Sequence, residues 1–120
     1  MDITRKKTRE INLGKVKIGG DNPILVQSMT KSKIGQTSAI REEIKELTRW
    51  GCEVIRVAVP DAGAAAELKK LIDSEIFIVP VVADIHFDHR LAIDCINAGA
   101  EGIRINPGNI GGYERTAKVI

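Results

Sequence analysis

Two arginines, an aspartate and a histidine stand in stretches of the chain that otherwise have the apolar character of buried strands. Arg56 and Arg104 occupy equivalent places in two such stretches, and Asp84 and His86 lie two residues apart in a third. A guanidinium inside a sheet core is costly unless its charge is paired and its donors are used. Its planar fork suits two oxygens of a phosphate or carboxylate. These residue types therefore predict an anion-binding site.

Two other interpretations of these side chains stay open. One is an internal ion pair, for instance between an arginine and Asp84, because buried charges usually pair with each other. Two arginines against one acid still leave a positive surplus, which favours an anionic ligand. The other is a metal site at Asp84 and His86, which strand alternation puts on one face. No third ligand stands at a suitable spacing, so a hydrogen-bonding or proton-transfer pair is the simpler expectation.

Four β-rich apolar runs position these residues, at 23–29, 53–60, 76–86 and 102–106. Helical patterns follow the first three runs, at about 38–50, 62–72 and 88–98, and a fourth helix begins near Tyr113. The strands begin at about 24, 54, 78 and 102, so they recur every 24 to 30 residues, which is the pitch of a βα unit. The pattern predicts an α/β fold built from parallel βα repeats.

The number of repeats decides between an open doubly wound sheet and a barrel. A complete (β/α)8 barrel needs about 250 residues, and this chain has 120. We therefore predict that residues 23–120 form about four βα units, the last incomplete, and that they are the N-terminal half of a TIM-type barrel. Residues 1–22 are predicted to form a basic arm with a short hairpin around 16–18.

Local signals refine the helix ends. Ser38, Asp61 and Asp88 are predicted N-caps, because their side-chain oxygens can accept the unpaired backbone N–H groups of a first turn. His89 is then expected to be a solvated first-turn residue. The segment 106–112 (NPGNIGG) is a glycine-rich turn that leads into a helix, and such a turn can hold phosphate on backbone N–H groups. An ordinary βα loop remains an equal alternative for this segment.

Composition narrows the function classes. The formal net charge of +2 and the scarcity of aromatic residues (3%) argue against a nucleic-acid partner. No apolar run approaches the roughly 18 residues of a membrane span, and the N-terminus lacks the apolar region of a secretory signal. We expect a cytoplasmic protein with no membrane partner. Cys52 and Cys95 form no CxxC pattern and are expected to be reduced, structural thiols.

Four segments in a fixed order together closely resemble the 4-hydroxy-3-methylbut-2-enyl diphosphate synthase family: 23–30 (PILVQSMT), 51–60 (GCEVIRVAVP), 83–88 (ADIHFD) and 104–111 (RINPGNIG). The resemblance runs from about Arg9 to the end of the chain. It implies a TIM-type barrel followed by a C-terminal domain with a [4Fe-4S] cluster. It also implies a reductase of isoprenoid biosynthesis that opens 2-C-methyl-D-erythritol 2,4-cyclodiphosphate with electrons from ferredoxin or flavodoxin.

The resemblance further implies which residues bind the substrate. The positions that match the family's pocket are Met29, Arg56, Asp84, His86, Arg104, Asn106 and Asn109. The cluster cysteines belong to the C-terminal domain, so we expect this chain to contain no metal ligand, to bind no cofactor and to be inactive alone. We also expect a homodimer. Residues 31–36 depart from the Thr- and Asp-containing loop expected after the first strand.

Two alternative functions stay open beside this one. The first is another TIM-barrel enzyme that binds a phosphate or a pterin, which a cluster-bearing C-terminal domain in the complete protein would exclude. The second is a non-enzymatic half-barrel that serves as an anion-binding or assembly module.

Overall fold

The computed structural model describes Thr4 and residues 6–120. Its elements in chain order are β1 (Ile11–Leu13), β2 (Val16–Ile18), β3 (Gln27–Met29), α1 (Thr37–Arg49), β4 (Val54–Ala58), α2 (Ala62–Asp73), β5 (Val81–Ile85), α3 (His89–Ala98), β6 (Gly102–Ile105), α4 (Pro107–Ile110) and α5 (Tyr113–Val119). Strands β3 to β6 form one parallel sheet in the order of the chain, and β1 pairs antiparallel with β2. The predicted α/β fold of parallel βα repeats is confirmed.

The sheet has one apolar face, which the helices cover. Alternation along β4 and β5 sends Ile55, Val57, Ala83 and Ile85 to this face, and each of them is at most 1% exposed. The helices contribute matching apolar stripes, such as Ile40 and Ile44 of α1, Leu68 and Leu71 of α2, and Leu91 and Cys95 of α3. Burial of this layer is what fixes the register of the strands.

The opposite face, which we call the inner face, carries the polar residues. The strand register aligns Met29 with Arg56, Arg56 with Val82, and Val82 with Gly102 in one row. The next row contains Ala58, Asp84 and Arg104. Because neighbouring strands are parallel, the second row lies closer than the first to the C-terminal ends of the strands, where barrel enzymes place their sites.

Two of the three predicted helix caps are confirmed. Asp61 accepts a hydrogen bond from the Ala64 N–H at 2.8 Å, and Asp88 accepts one from the Arg90 N–H at 2.9 Å. The prediction for Ser38 is wrong, because α1 begins one residue earlier and its N-cap is Gln36, which makes no side-chain cap bond. The Gln36 side chain instead accepts the Lys33 N–H at 3.3 Å and closes a turn before the helix.

The first and third predicted strands are too long at their N-terminal ends. The first has strand geometry only over Gln27–Met29, at the edge of the sheet, where it has a single neighbour. Ile24 ahead of it is 81% exposed. The third starts at Val81, directly after Pro80, which has no N–H to donate to a ladder. Ile78, which the prediction placed in this strand, is 80% exposed.

The glycine-rich segment after β6 is more structured than a plain loop. Asn106 O accepts the N–H groups of Asn109 and Ile110, both at 3.0 Å, and this begins the one-turn helix α4. Gly111 and Gly112 then adopt positive φ angles of 111° and 83°, which glycine tolerates best. The chain can therefore reverse and start α5.

The longest helix in the described part of the chain, α1, has 13 residues. None of the described helices combines the length and the apolar character that a membrane crossing would need.

Candidate anion-binding site

Asp84 bridges the two inner-face arginines. Its Oδ2 accepts a hydrogen bond from Arg56 Nη2 at 2.7 Å, and its Oδ1 accepts one from Arg104 Nη1 at 3.1 Å. The side chain of Asp84 is only 2% exposed, so this carboxylate lies beneath both guanidinium groups. The ion-pair interpretation of the sequence is thus realised, and it involves both arginines at once.

The electrostatics of the triad formed by Arg56, Asp84 and Arg104 favour the ionised carboxylate. Burial alone would raise the pKa of Asp84, but the hydrogen bonds from Arg56 and Arg104, together with the two positive charges, outweigh it and lower the pKa below its ordinary 3.8. One negative charge then faces two positive ones. The triad keeps a net charge of +1, which is the surplus that the sequence pointed to.

The two arginines differ in how open they are. The side chain of Arg56 is 25% exposed and that of Arg104 is 47% exposed. Each guanidinium has five N–H donors, and Asp84 takes one from each. The Nε of Arg56 is buried and has no hydrogen-bond partner among the described residues. Both guanidinium groups are therefore oriented by Asp84 and keep further N–H donors, as the binding of an anion would require.

His86 is the first residue after β5 and lies beside Asp84. Its Nε2 is 4.0 Å from Asp84 Oδ2, its side chain is 46% exposed, and its ring lies 6.1 Å from that of Phe87. The distance is too long for a hydrogen bond, so the imidazole remains available to a ligand. Within the described residues no three His, Cys, Asp or Glu side chains are grouped as metal ligands.

The remaining predicted site residues flank the triad. Met29 is the register partner of Arg56 and is 37% exposed. Asn106 follows β6 directly and has the strand parity of Arg104. Asn109 lies on α4, where its N–H bonds to Asn106 O. The structure thus brings five predicted residues to one face of the sheet, with the two asparagines at its C-terminal end.

His89 is not the solvated residue that the sequence suggested. Its side chain is only 15% exposed, and its Nδ1 lies 3.9 Å from Asp88 Oδ1 without hydrogen-bonding any described residue. The helix α3 begins at His89 itself, so the ring lies back against the protein. Asp88 instead bonds Arg90, and these hydrogen bonds lower the pKa of Asp88 to about 2.

The sequence analysis singled out the loop after β3 but assigned its residues no role. An open cavity of about 790 Å³ is lined by residues 30–36 of this loop, by Ala58 at the end of β4, by Pro60 and by the first turns of α2. Glu43 of α1 ties the loop down by accepting backbone N–H groups from Lys31 and Ser32. The signal that could have found it is a lysine two residues after Met29, at the end of the first strand.

The two cysteines do not fit an iron–sulfur cluster. Cys52 and Cys95 are both free and buried, and Cys52 Sγ donates to the Val54 carbonyl at 3.0 Å. Burial, with a smaller contribution from the charge of Asp94, raises the pKa of the Cys95 thiol to about 11, so it is held protonated. A cluster needs thiolates, usually four of them. No step of the chemistry is therefore assigned to a cluster on these residues.

Comparison with known proteins adds an independent finding. The model of the GcpE TIM-barrel domain matches residues 8–120. The chain is 54% identical over 116 residues to the 4-hydroxy-3-methylbut-2-en-1-yl diphosphate synthase (flavodoxin) of Caldanaerobacter subterraneus subsp. tengcongensis, covering 97% of this chain and 32% of the relative. It is 49% identical over 116 residues to the enzyme of that name from Lawsonia intracellularis, with the same coverage. It is 51% identical over 108 residues to that of Persephonella marina, covering 90% of this chain and 30% of the relative. The chain thus spans about a third of the length of the curated relatives it matches.

Proposed function

Because the chain belongs to the GcpE TIM-barrel family, with its parallel sheet as part of that barrel, we propose that it is the N-terminal part of a 4-hydroxy-3-methylbut-2-en-1-yl diphosphate synthase. Its role there is to bind the diphosphate of 2-C-methyl-D-erythritol 2,4-cyclodiphosphate. The resemblance of four ordered sequence segments and the names of relatives about 50% identical both support this assignment.

The observation that carries the proposal is the bridge of Asp84 between Arg56 and Arg104. A carboxylate beneath two guanidinium groups fixes their orientation before a ligand arrives, so less side-chain entropy is lost on binding. The outward donors then suit the paired oxygens of a diphosphate. Asn106 and Asn109 would add neutral hydrogen bonds to the polar groups, and Met29 an apolar contact.

His86 is proposed to face the reacting end of the substrate. Its imidazole is half exposed and close to an ionised carboxylate, and a neutral imidazole can both accept and donate a proton. The role of this chain in catalysis is thus to bind and orient the substrate, and to offer a proton carrier beside it.

The redox chemistry is proposed to lie outside this chain. The resemblance implies a [4Fe-4S] cluster that passes the electrons to the substrate, with its cysteines in a C-terminal domain. The relatives' names specify flavodoxin, and this supports flavodoxin as the electron donor of the complete protein. Ferredoxin is the alternative donor. Residues 1–120 alone are then expected to turn over no substrate. Two unpaired thiols support a reducing, cytoplasmic location.

A homodimer is part of the proposal. Strands β3 and β6 each have only one neighbour in the described sheet, so both present an edge that further strands must cover. We expect the complete protein to close its own barrel and to dimerise through other surfaces. Sedimentation velocity on the complete protein tests the dimer directly, and a monomer over the micromolar range would contradict it.

The anion-binding role can be tested by calorimetric titration of the complete protein with inorganic diphosphate and with the cyclic diphosphate. Arg104→Met is expected to weaken binding by roughly 2–4 kcal/mol, because it removes charge-assisted donors. Arg49→Met is the matched control, since this arginine lies exposed on α1 beside Glu46. Unchanged affinity in Arg104→Met would contradict the proposal. Binding of inorganic diphosphate without the cyclic diphosphate would favour a different phosphate-binding enzyme.

A further inference from the structure

The loop after β3 leaves the sheet in a defined way. The Thr30 N–H donates to the Arg56 carbonyl at 3.0 Å, which extends the pairing of β3 with β4 by one residue. The next two N–H groups turn to Glu43 instead. Lys31 N–H contacts both carboxylate oxygens, at 3.0 and 2.9 Å, and Ser32 N–H contacts Oε1 at 3.0 Å.

Glu43 therefore fixes the backbone of this loop from α1. A carboxylate that accepts several backbone N–H groups makes charge-assisted bonds, which are roughly twice as strong as neutral ones. Glu43 itself is partly buried on a helix whose Ile40 and Ile44 are fully buried in the core. The anchor is rigid, so the position of Lys31 is set by the fold.

Lys31 shares a cavity with a strand neighbour of the anion site. It stands two residues after Met29, the register partner of Arg56, and Thr30 between them extends the strand pairing. It lines the cavity of about 790 Å³ together with Ala58, and Ala58 is the register partner of Asp84. The small side chain of Ala58 leaves room between the lysine and the triad. Within the described part of the chain, no carboxylate pairs with the ammonium group of Lys31.

The charge balance explains what this lysine could do. Arg56 and Arg104 with Asp84 amount to +1, whereas a diphosphate group carries more than one negative charge. We propose that Lys31 is a further anion-binding residue of this site and that Glu43 is the positioning residue that holds it there. This inference rests on the proposed function, because it extends the same diphosphate site across Ala58 to the loop after β3.

The test is calorimetric titration of the complete protein with inorganic diphosphate. Lys31→Met is expected to weaken binding about tenfold, in line with the loss of one charged hydrogen bond. Lys31→Arg keeps the charge and should retain most of the affinity. Lys33→Met is the matched control, because Lys33 lines the same cavity but its backbone N–H bonds Gln36 and not Glu43. An equal loss in Lys33→Met would mean that general loop charge, and not a contact, is responsible, and would overturn the proposal.

The role of Glu43 is tested by a double-mutant cycle. Glu43→Gln removes the charged acceptor that holds the Lys31 and Ser32 N–H groups. In that background Lys31→Met should cost only about twofold, because the lysine is no longer placed beside the site. Amide exchange at Lys31 and Ser32 should rise in the same variant. If the tenfold loss persists in the Glu43→Gln background, Glu43 does not position Lys31.

The outcomes separate this inference from the proposed function. If Arg104→Met loses affinity for diphosphate while Lys31→Met does not, the anion site stands and the lysine lies outside it. If the wild-type protein binds no diphosphate, or Arg104→Met leaves its affinity unchanged, the proposed function itself fails. Circular dichroism on each variant confirms that a loss of affinity is not a loss of fold, and Lys31→Arg provides a measurable variant if Lys31→Met does not fold.

Discussion

Leu13 of the N-terminal hairpin occupies the space that a side chain at Gly102 would need. A Cβ built on Gly102 would lie 2.7 Å from Leu13 Cδ1 and 3.2 Å from Val82 Cγ2. Gly102 is the first residue of β6 and stands in the inner-face row of Arg56 and Val82. The hairpin β1–β2 therefore covers the N-terminal end of the inner face, at the end of the strands opposite to His86.

We expect Gly102→Val to destabilise the protein by about 1–3 kcal/mol, because extra methyl groups overpack a filled site. The measurement is the free energy of unfolding in denaturant. Leu13→Ala in the same chain should recover part of the loss, since it vacates the space that valine enters. Strictly additive effects of the two substitutions would show that Leu13 and position 102 do not share this space.

Removing Arg56 should harm stability more than removing Arg104. Arg56 makes the shorter bond to the buried Asp84 and is itself less exposed. We expect Arg56→Met to lower the free energy of unfolding by about 1–3 kcal/mol, because it leaves a buried carboxylate with a single partner. Arg104→Met should cost less than about 1 kcal/mol, as for a half-exposed ion pair. The reverse order in denaturant titrations would contradict the burial argument.

The Asp84 triad should make stability fall at acid pH. The folded pKa of Asp84 lies below its ordinary 3.8, so folding favours the ionised form. Its contribution is complete above that ordinary value and is lost as the pH falls through the lower folded value. We expect the difference in unfolding free energy between wild type and Asp84→Asn to shrink between about pH 5 and pH 2. A difference that stays constant over this range would mean that Asp84 is not an ionised partner.

His86→Ala should reduce the activity of the complete protein without loss of iron from its proposed cluster. The imidazole lies beside the ionised Asp84 but is not among any described group of metal ligands. If it moves a proton, turnover should fall about 100-fold or more. Iron content and the absorbance of the cluster are measured in parallel with the rate. Loss of iron from a correctly folded variant would instead identify His86 as a metal ligand.

The Cys95 thiol should resist alkylation in the folded protein. Burial raises its pKa to about 11, and only the thiolate reacts. We expect iodoacetamide at pH 8 to react with Cys95, followed by mass spectrometry of its peptide, at least about 100-fold more slowly in the folded protein than after unfolding. Reaction at the rate of an unfolded thiol would mean that α3 opens readily.

Much of the fold follows from local sequence signals. The alternation of apolar and polar residues in β4, β5 and β6 separated the two faces of the sheet correctly, because a strand has a period of two whatever its surroundings. Asp61 and Asp88 marked helix starts for an equally local reason, namely the cap that a first turn requires. Parity also grouped Arg56, Asp84, His86 and Arg104 on one face.

Only the tertiary structure decided how these residues meet. Parity names a face but gives no distance, so the sequence left open whether Asp84 pairs with an arginine; the strand register brings it within reach of both. The Ser38 cap was wrong because a turn closed by Gln36 and Lys33 moved the helix start. Glu43 of α1 holds Lys31 and Ser32 of the preceding loop, and Leu13 fills the space beside Gly102. Both contacts join segments distant in sequence, and such contacts depend on the packing of the whole chain, which no local pattern encodes.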